Sequence, residues 1–104
     1  MILDGIDGKP FSEVFLEALD EALISLVGET GKHVIYYHLQ KNYSIKREEV
    51  PEKLELLVEF LKKFFGYGAK VIEGMIVRKL CVKLGMNPEE FGDIGVLEFL
   101  KKIK

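Results

Sequence analysis

His33-Val34-Ile35-Tyr36-Tyr37-His38-Leu39 is the segment on which an all-helical reading of this 104-residue chain depends. Its β-branched and aromatic residues would suit a strand. Yet Ile35, His38 and Leu39 share one helical face, and no partner strand is evident elsewhere in the sequence. The segment is therefore read as the centre of a helix over about 31–42, with Thr30 as its cap.

The flanking sequence agrees. Upstream, Phe11, Val14, Phe15, Ala18, Leu19, Ala22, Leu23 and Leu26 recur at spacings of three and four, which makes one apolar stripe. Ser12 is the expected N-cap and Gly28 the expected stop, with positive φ. Glu13, Glu17, Asp20 and Glu21 are placed on the opposite, solvent side. Downstream, Tyr43 to Pro51 reads as a loop. A third helix over about 52–65 buries Leu54, Leu57, Val58, Leu61, Phe64 and Phe65, and Gly66 ends it. The next runs from Gly68 to Leu84, with Gly85 as its stop. It carries a main stripe of Ala69, Ile72, Ile76, Val77, Leu80, Cys81 and Leu84, and a second of Val71, Met75 and Val82. A helix apolar on so much of its circumference belongs at the centre of the fold or at a subunit contact. Asn87-Pro88-Glu89-Glu90 is a start signal for a short turn leading into Val96–Ile103, where Lys101, Lys102 and Lys104 suit the negative helix end. The expectation is an all-α small helical bundle: four main helices, a short C-terminal one, a loose arm at 1–11 and an extension at 86–104.

Bulk composition narrows function. Hydrophobic residues are 48% and charged residues 31%, an ordinary balance for one soluble domain. No apolar run approaches a membrane span, and the N-terminus lacks the basic region of a secretory signal. One cysteine, Cys81, excludes an internal disulfide and a Cys-pair metal site, and a reducing cytoplasm fits. Lys and Glu supply 26 residues against three Asn and Gln, a bias like that of hyperthermophile proteins. The net charge of −2 is no footprint for nucleic acid. Charge is nonetheless uneven: residues 1–30 hold seven acids against Lys9 alone, while 62–104 hold nine bases against five acids. Either the acidic first helix lies against basic later ones, or it forms an acidic docking face.

Few residues suggest chemistry. His33 and His38 lie about 140° apart on a helix and cannot share a metal as an i,i+4 pair could. Cys81 falls on an apolar face, which suits a structural thiol better than a nucleophile. No Gly-x-Ser-x-Gly, His-Glu-x-x-His or Walker loop is present. Gly66-Tyr67-Gly68-Ala69-Lys70 could let backbone N–H groups approach a phosphate, but it follows a helix and reads first as a tight interhelical turn. Glu73 interrupts the apolar stripe, so it is expected partly buried and bonded to a His, Lys or Tyr of the second helix or its loop. The aromatics Tyr36, Tyr37, Tyr43, Phe64, Phe65 and Tyr67 form a core, an exposed patch for a partner, or a pocket wall. The candidate partner- or ligand-binding residues are thus Tyr36, Tyr37, His38, Tyr67, Lys70 and Glu73. No catalytic residue, cofactor or metal set is expected. A helix-turn-helix reading through Lys41, Lys46 and Arg47 is the alternative, although Glu52, Glu55 and Glu59 stand where a recognition helix wants Arg, Asn or Gln.

Three stretches carry a family resemblance: Lys32-His-Val-Ile-Tyr-Tyr-His-Leu39, Ile45-Lys-Arg-Glu-Glu-Val-Pro51 and Phe65-Gly-Tyr-Gly-Ala-Lys-Val-Ile-Glu73. From about Ser12 to Gly85 the chain resembles the Nitrosopumilus output domain type of archaeal signalling proteins. The resemblance implies a helical effector or interaction module, typically fused to sensor or receiver domains, and it carries no catalytic residues. This sequence has no receiver and adds 86–104, which favours a free-standing module that binds a partner. A homodimer is expected as well. The off-stripe residues Leu16, Ile24, Leu56, Phe60, Val71, Met75 and Val82 are more than one small core readily buries, and a symmetric interface would cover them.

Overall fold

Gly28 sets the architecture. A straight helix over Phe11–Tyr43 would be about 50 Å long, but the molecule's longest extent is 34 Å. At Gly28 the backbone takes φ 79° and ψ 173°, which is territory for glycine alone. The chain reverses there, so α1 (Phe11–Tyr43) is two antiparallel arms, 11–27 and 29–43. The reversal is visible in one bond. The Tyr36 hydroxyl lies 2.6 Å from Asp20 Oδ1, whereas sixteen residues of straight helix would separate them by about 24 Å.

The computed structural model describes residues 9–103. The 1–8 part of the expected loose arm, and Lys104, lie outside the described residues. The order after α1 is a 3-10 turn at Arg47–Glu52, α2 (Leu54–Phe65), a 3-10 turn at Gly66–Gly68, α3 (Ala69–Lys83), a 3-10 turn at Pro88–Glu90, and α4 (Val96–Ile103). The fold is all-α, with no strand element among the described residues, and 33–39 is helical.

Several boundaries differ from expectation, each for a local reason. Helix α1 begins at Phe11, and the Pro10 carbonyl accepts the Glu13 and Val14 N–H groups, so Ser12 lies within the first turn and is not the cap. Helical angles resume directly after Gly28, which leaves Thr30 inside the second arm. The stretch expected as loop winds into a 3-10 turn. There Lys46 N–H donates to Glu49 Oε1 at 2.9 Å and Glu49 N–H to the Lys46 carbonyl. Pro51 belongs to that turn, and α2 starts at Leu54. The starting signal at Asn87 is realised as a single 3-10 turn, with Asn87 Oδ1 accepting the Glu89 N–H at 3.1 Å.

Helix α3 is central, packing on α1, α2 and α4. Phe15, Leu19, Leu23, Leu39, Phe60, Leu61, Ile76 and Leu80 are among the largest fully buried side chains around it. Val96, Phe99 and Leu100 are buried too, so the C-terminal extension packs on the chain's own core. Phe91 meets Phe99 edge to face, with ring centroids 4.9 Å apart. The surface left to solvent is 6262 Å², close to the roughly 6,000 Å² of a monomeric domain this size.

The stripes need two corrections. Phe60, placed off the face of α2, is buried, while Phe64, placed on it, is 42% exposed. Leu26, placed on the first stripe, is exposed beside the Gly28 turn. Of the seven off-stripe residues, Leu16 and Phe60 are buried in the monomer and Met75 is half-buried against the core, whereas Ile24, Leu56, Val71 and Val82 remain exposed.

Candidate functional site

The six residues singled out in the sequence fall in different places. Tyr36 belongs to a polar clamp inside the α1 hairpin. Asp20 sits at its centre. Arg47 Nη2 donates to Asp20 Oδ2 at 2.6 Å, Arg47 Nε to Oδ1 at 3.3 Å, and the Tyr36 hydroxyl to Oδ1. Burial pushes the Asp20 carboxyl up, but the bonds from Arg47 and Tyr36 outweigh it and hold the group below the usual carboxylate range. Burial, and then the bond to Asp20, push the Tyr36 phenol upward. The clamp ties both arms of α1 to the 3-10 turn that follows. Asp20, read as a solvent-facing acid, is in fact its hub. A sequence signal existed: Asp20 and Tyr36 stand eight residues either side of Gly28, so a reversal there brings them together.

Tyr37 and His38 lie on an aromatic ridge between the second arm and α2. His38 contacts Tyr37 edge to face at 5.4 Å and Phe64 at 5.5 Å; Phe64 stacks on Phe60 at 5.3 Å. Lys41 Nζ lies 5.8 Å over the Tyr37 ring. His33 is exposed, 3.6 Å from Glu29 Oε1, and does not join His38. Tyr67, at the α2–α3 turn, is fully exposed. The Gly66–Gly68 segment is the tight turn expected, with φ 58° at Gly66.

Lys70 and Glu73 line a groove of about 740 Å³ between α2, α3 and the entry to α4. Its apolar lining comes from Val58, Val71, Met75, Ile94 and Leu97. Lys62, Lys70 and Arg78 mark the α2–α3 side, and Asp93 and Glu98 the α4 side. The groove volume is in the range of binding pockets, and six charged side chains, Glu73 among them, share the lining with the five apolar ones. Tyr36 and Tyr37 line a different, shallower hollow of about 330 Å³, so the sequence candidates do not form one site.

Glu73 is buried at 7% exposure, the one charged side chain in that class among the described residues. Its partner is not the expected His, Lys or Tyr. Glu73 Oε1 accepts the Val96 N–H at 2.9 Å. The reason is local: Gly95 precedes α4 and has no side chain to cap it, so a carboxylate from α3 meets the positive end of the helix. A Cβ at Gly95 would lie 2.7 Å from Glu73 Oε1, so a side chain there would displace the carboxylate oxygen that Val96 uses. The missing cap before Val96 was the legible clue to this bond.

Gly74 follows Glu73 in the interior of α3. Glycine there costs the helix roughly 0.5–1 kcal/mol relative to alanine. A Cβ at Gly74 would meet nothing within 4 Å, so packing within the chain does not require the glycine. Its open side belongs to the groove.

Part of the charge asymmetry is met by contacts of the acidic first arm with Lys83 of α3 and with Lys9. Lys83 Nζ reaches Glu21 Oε2 at 2.6 Å and Glu17 Oε1 at 3.4 Å, and Lys9 reaches Glu17 at 2.8 Å. Cys81 is fully buried, and burial pushes its thiol up, the setting of a structural cysteine. Among the described residues, no three His, Cys, Asp or Glu side chains gather as metal ligands, and no helix is long and apolar enough to cross a membrane.

Comparison with known proteins returns no match to a family model, to a curated protein or to a solved structure.

Proposed function

We propose that this chain is a non-enzymatic, cytoplasmic protein-interaction module, a small helical bundle that docks a segment of another protein in the α2–α3–α4 groove. The observation that carries this reading is the groove itself: about 740 Å³, walled by five apolar side chains and flanked by opposite charges. Gly74 supports it, because the helix keeps a weak residue where the groove needs depth. A signalling-output role, in line with the family resemblance, is the finer form of the proposal. Homodimerisation rests on the exposed Ile24, Leu56, Val71 and Val82, and native mass spectrometry tests it by subunit count. The DNA-binding alternative is weakened because Arg47 is committed to Asp20.

Differential affinity capture tests the main proposal. Wild type, Gly74→Leu and Ile24→Ser serve as baits in the same lysate, and each captured protein is then purified and titrated against all three. A partner that binds wild type and Ile24→Ser but loses Gly74→Leu is the expected result. Equal binding to all three would place the interaction elsewhere. Salt-sensitive retention of duplex DNA, lost in Lys46→Glu, would favour the alternative.

A further inference from the structure

One oxygen of Glu73 is committed to Val96, and the other is not. Oε2 accepts no hydrogen bond from any described residue, and no described cation lies within ion-pair distance of the carboxylate. No fully buried side-chain oxygen lacks a partner among the described residues, so Oε2 keeps some accessible surface, and Glu73 lines the groove. A carboxylate held in a low-dielectric wall with an oxygen free attracts a charged donor far more strongly than one at the surface. Beside it, Gly74 leaves space along the α3 wall.

We propose that the docked segment places a lysine or arginine side chain on Glu73 Oε2, with its neighbouring apolar side chains on Val71, Met75 and Leu97. This rests on the docking role proposed above. The aliphatic stem of such a residue suits the apolar wall, and its charged head suits the carboxylate. Asp93 and Glu98 on the α4 side are exposed, as are the three cations opposite, so the rim charges of the two signs are screened alike. Lys62, Lys70 and Arg78 face solvent, where charge is screened, and so weigh less than the buried carboxylate. An acidic side chain at the floor would meet Glu73 directly.

The test is an amide-resolved NMR titration of the whole chain with three peptides: acetyl-Leu-Lys-Leu-amide and its norleucine and glutamate counterparts at the central position. The lysine peptide should shift the amides of Gly74, Gly95 and Val96 and bind at least about fivefold more tightly than the neutral norleucine peptide. The glutamate peptide should be weakest. Glu73→Gln keeps an oxygen for Val96 and should reduce the lysine preference to within about twofold. Gly74→Leu should abolish the shifts of all three. Equal affinity of the lysine and norleucine peptides in wild type, or a preference that persists in Glu73→Gln, overturns the cation assignment and leaves the groove as a docking site. Absence of groove shifts with every peptide overturns the docking role itself.

Discussion

The α1 hairpin and the groove are built in opposite ways. At the hairpin, polar groups close on one another: Asp20 receives three hydrogen bonds, two from Arg47 and one from Tyr36. At the groove, Glu73 spends one oxygen on Val96 while Val71 remains 60% exposed. Their glycines differ in the same sense. Gly28 has a backbone conformation that other residues rarely adopt, so its role is internal to the fold. Gly74 lies in ordinary helix with empty space at its Cβ, so nothing internal demands it. The hairpin is thus a stability device, and the groove is where the molecule forgoes stability.

That contrast can be broken by substitution. The largest effect belongs to Gly28→Ala, which forces a Cβ into a strained backbone region and should cost about 2–3 kcal/mol in denaturant unfolding. Next is Asp20→Ala. It strands the Tyr36 hydroxyl and Arg47 and should cost about 2 kcal/mol, discounted because Arg47 reaches solvent. This loss is pH-dependent. The carboxyl is held below its ordinary value in the folded state, so its contribution is present above an unfolded pKa near about 4 and disappears as pH falls through the folded value. The stabilities of wild type and Asp20→Asn should therefore converge as pH falls below about 4.

Changes at the groove should be smaller or opposite in sign. Glu73→Ala uncaps α4 and should cost about 1 kcal/mol, with faster hydrogen exchange concentrated at Val96 and its neighbours. Gly74→Ala should stabilise the chain by about 0.5–1 kcal/mol. A destabilised Gly74→Ala would show that the glycine serves packing after all, and the contrast with Gly28 would fail.

Much of this fold was legible because periodicity and stop signals are local. Gly28, Gly66 and Gly85 all adopt the positive φ expected of helix stops. The ambiguous 33–39 stretch became helix because Ile35 and Leu39 face the core together. What could not be read was which surfaces meet. Asp20 looked like a solvent acid until the Gly28 reversal placed it under Tyr36. Glu73 reads from sequence as a partly buried carboxylate bonded to a His, Lys or Tyr, but its partner is a backbone N–H twenty-three residues on, whose sequence trace is the uncapped start of α4. Lys70 and Glu73, singled out in the sequence, line the groove, whereas Val58, Ile94 and Leu97 come from segments brought to it only by the tertiary packing.

The most direct test of the central claim is to map, by amide NMR, where a panel of neutral amphipathic fragments binds the wild-type chain. Shifts concentrated at Gly74, Met75, Ile94, Gly95 and Leu97 are the predicted result. Shifts concentrated instead on the Tyr37–Phe64 ridge, or on Ile24 to Val34 around the hairpin turn, would contradict it.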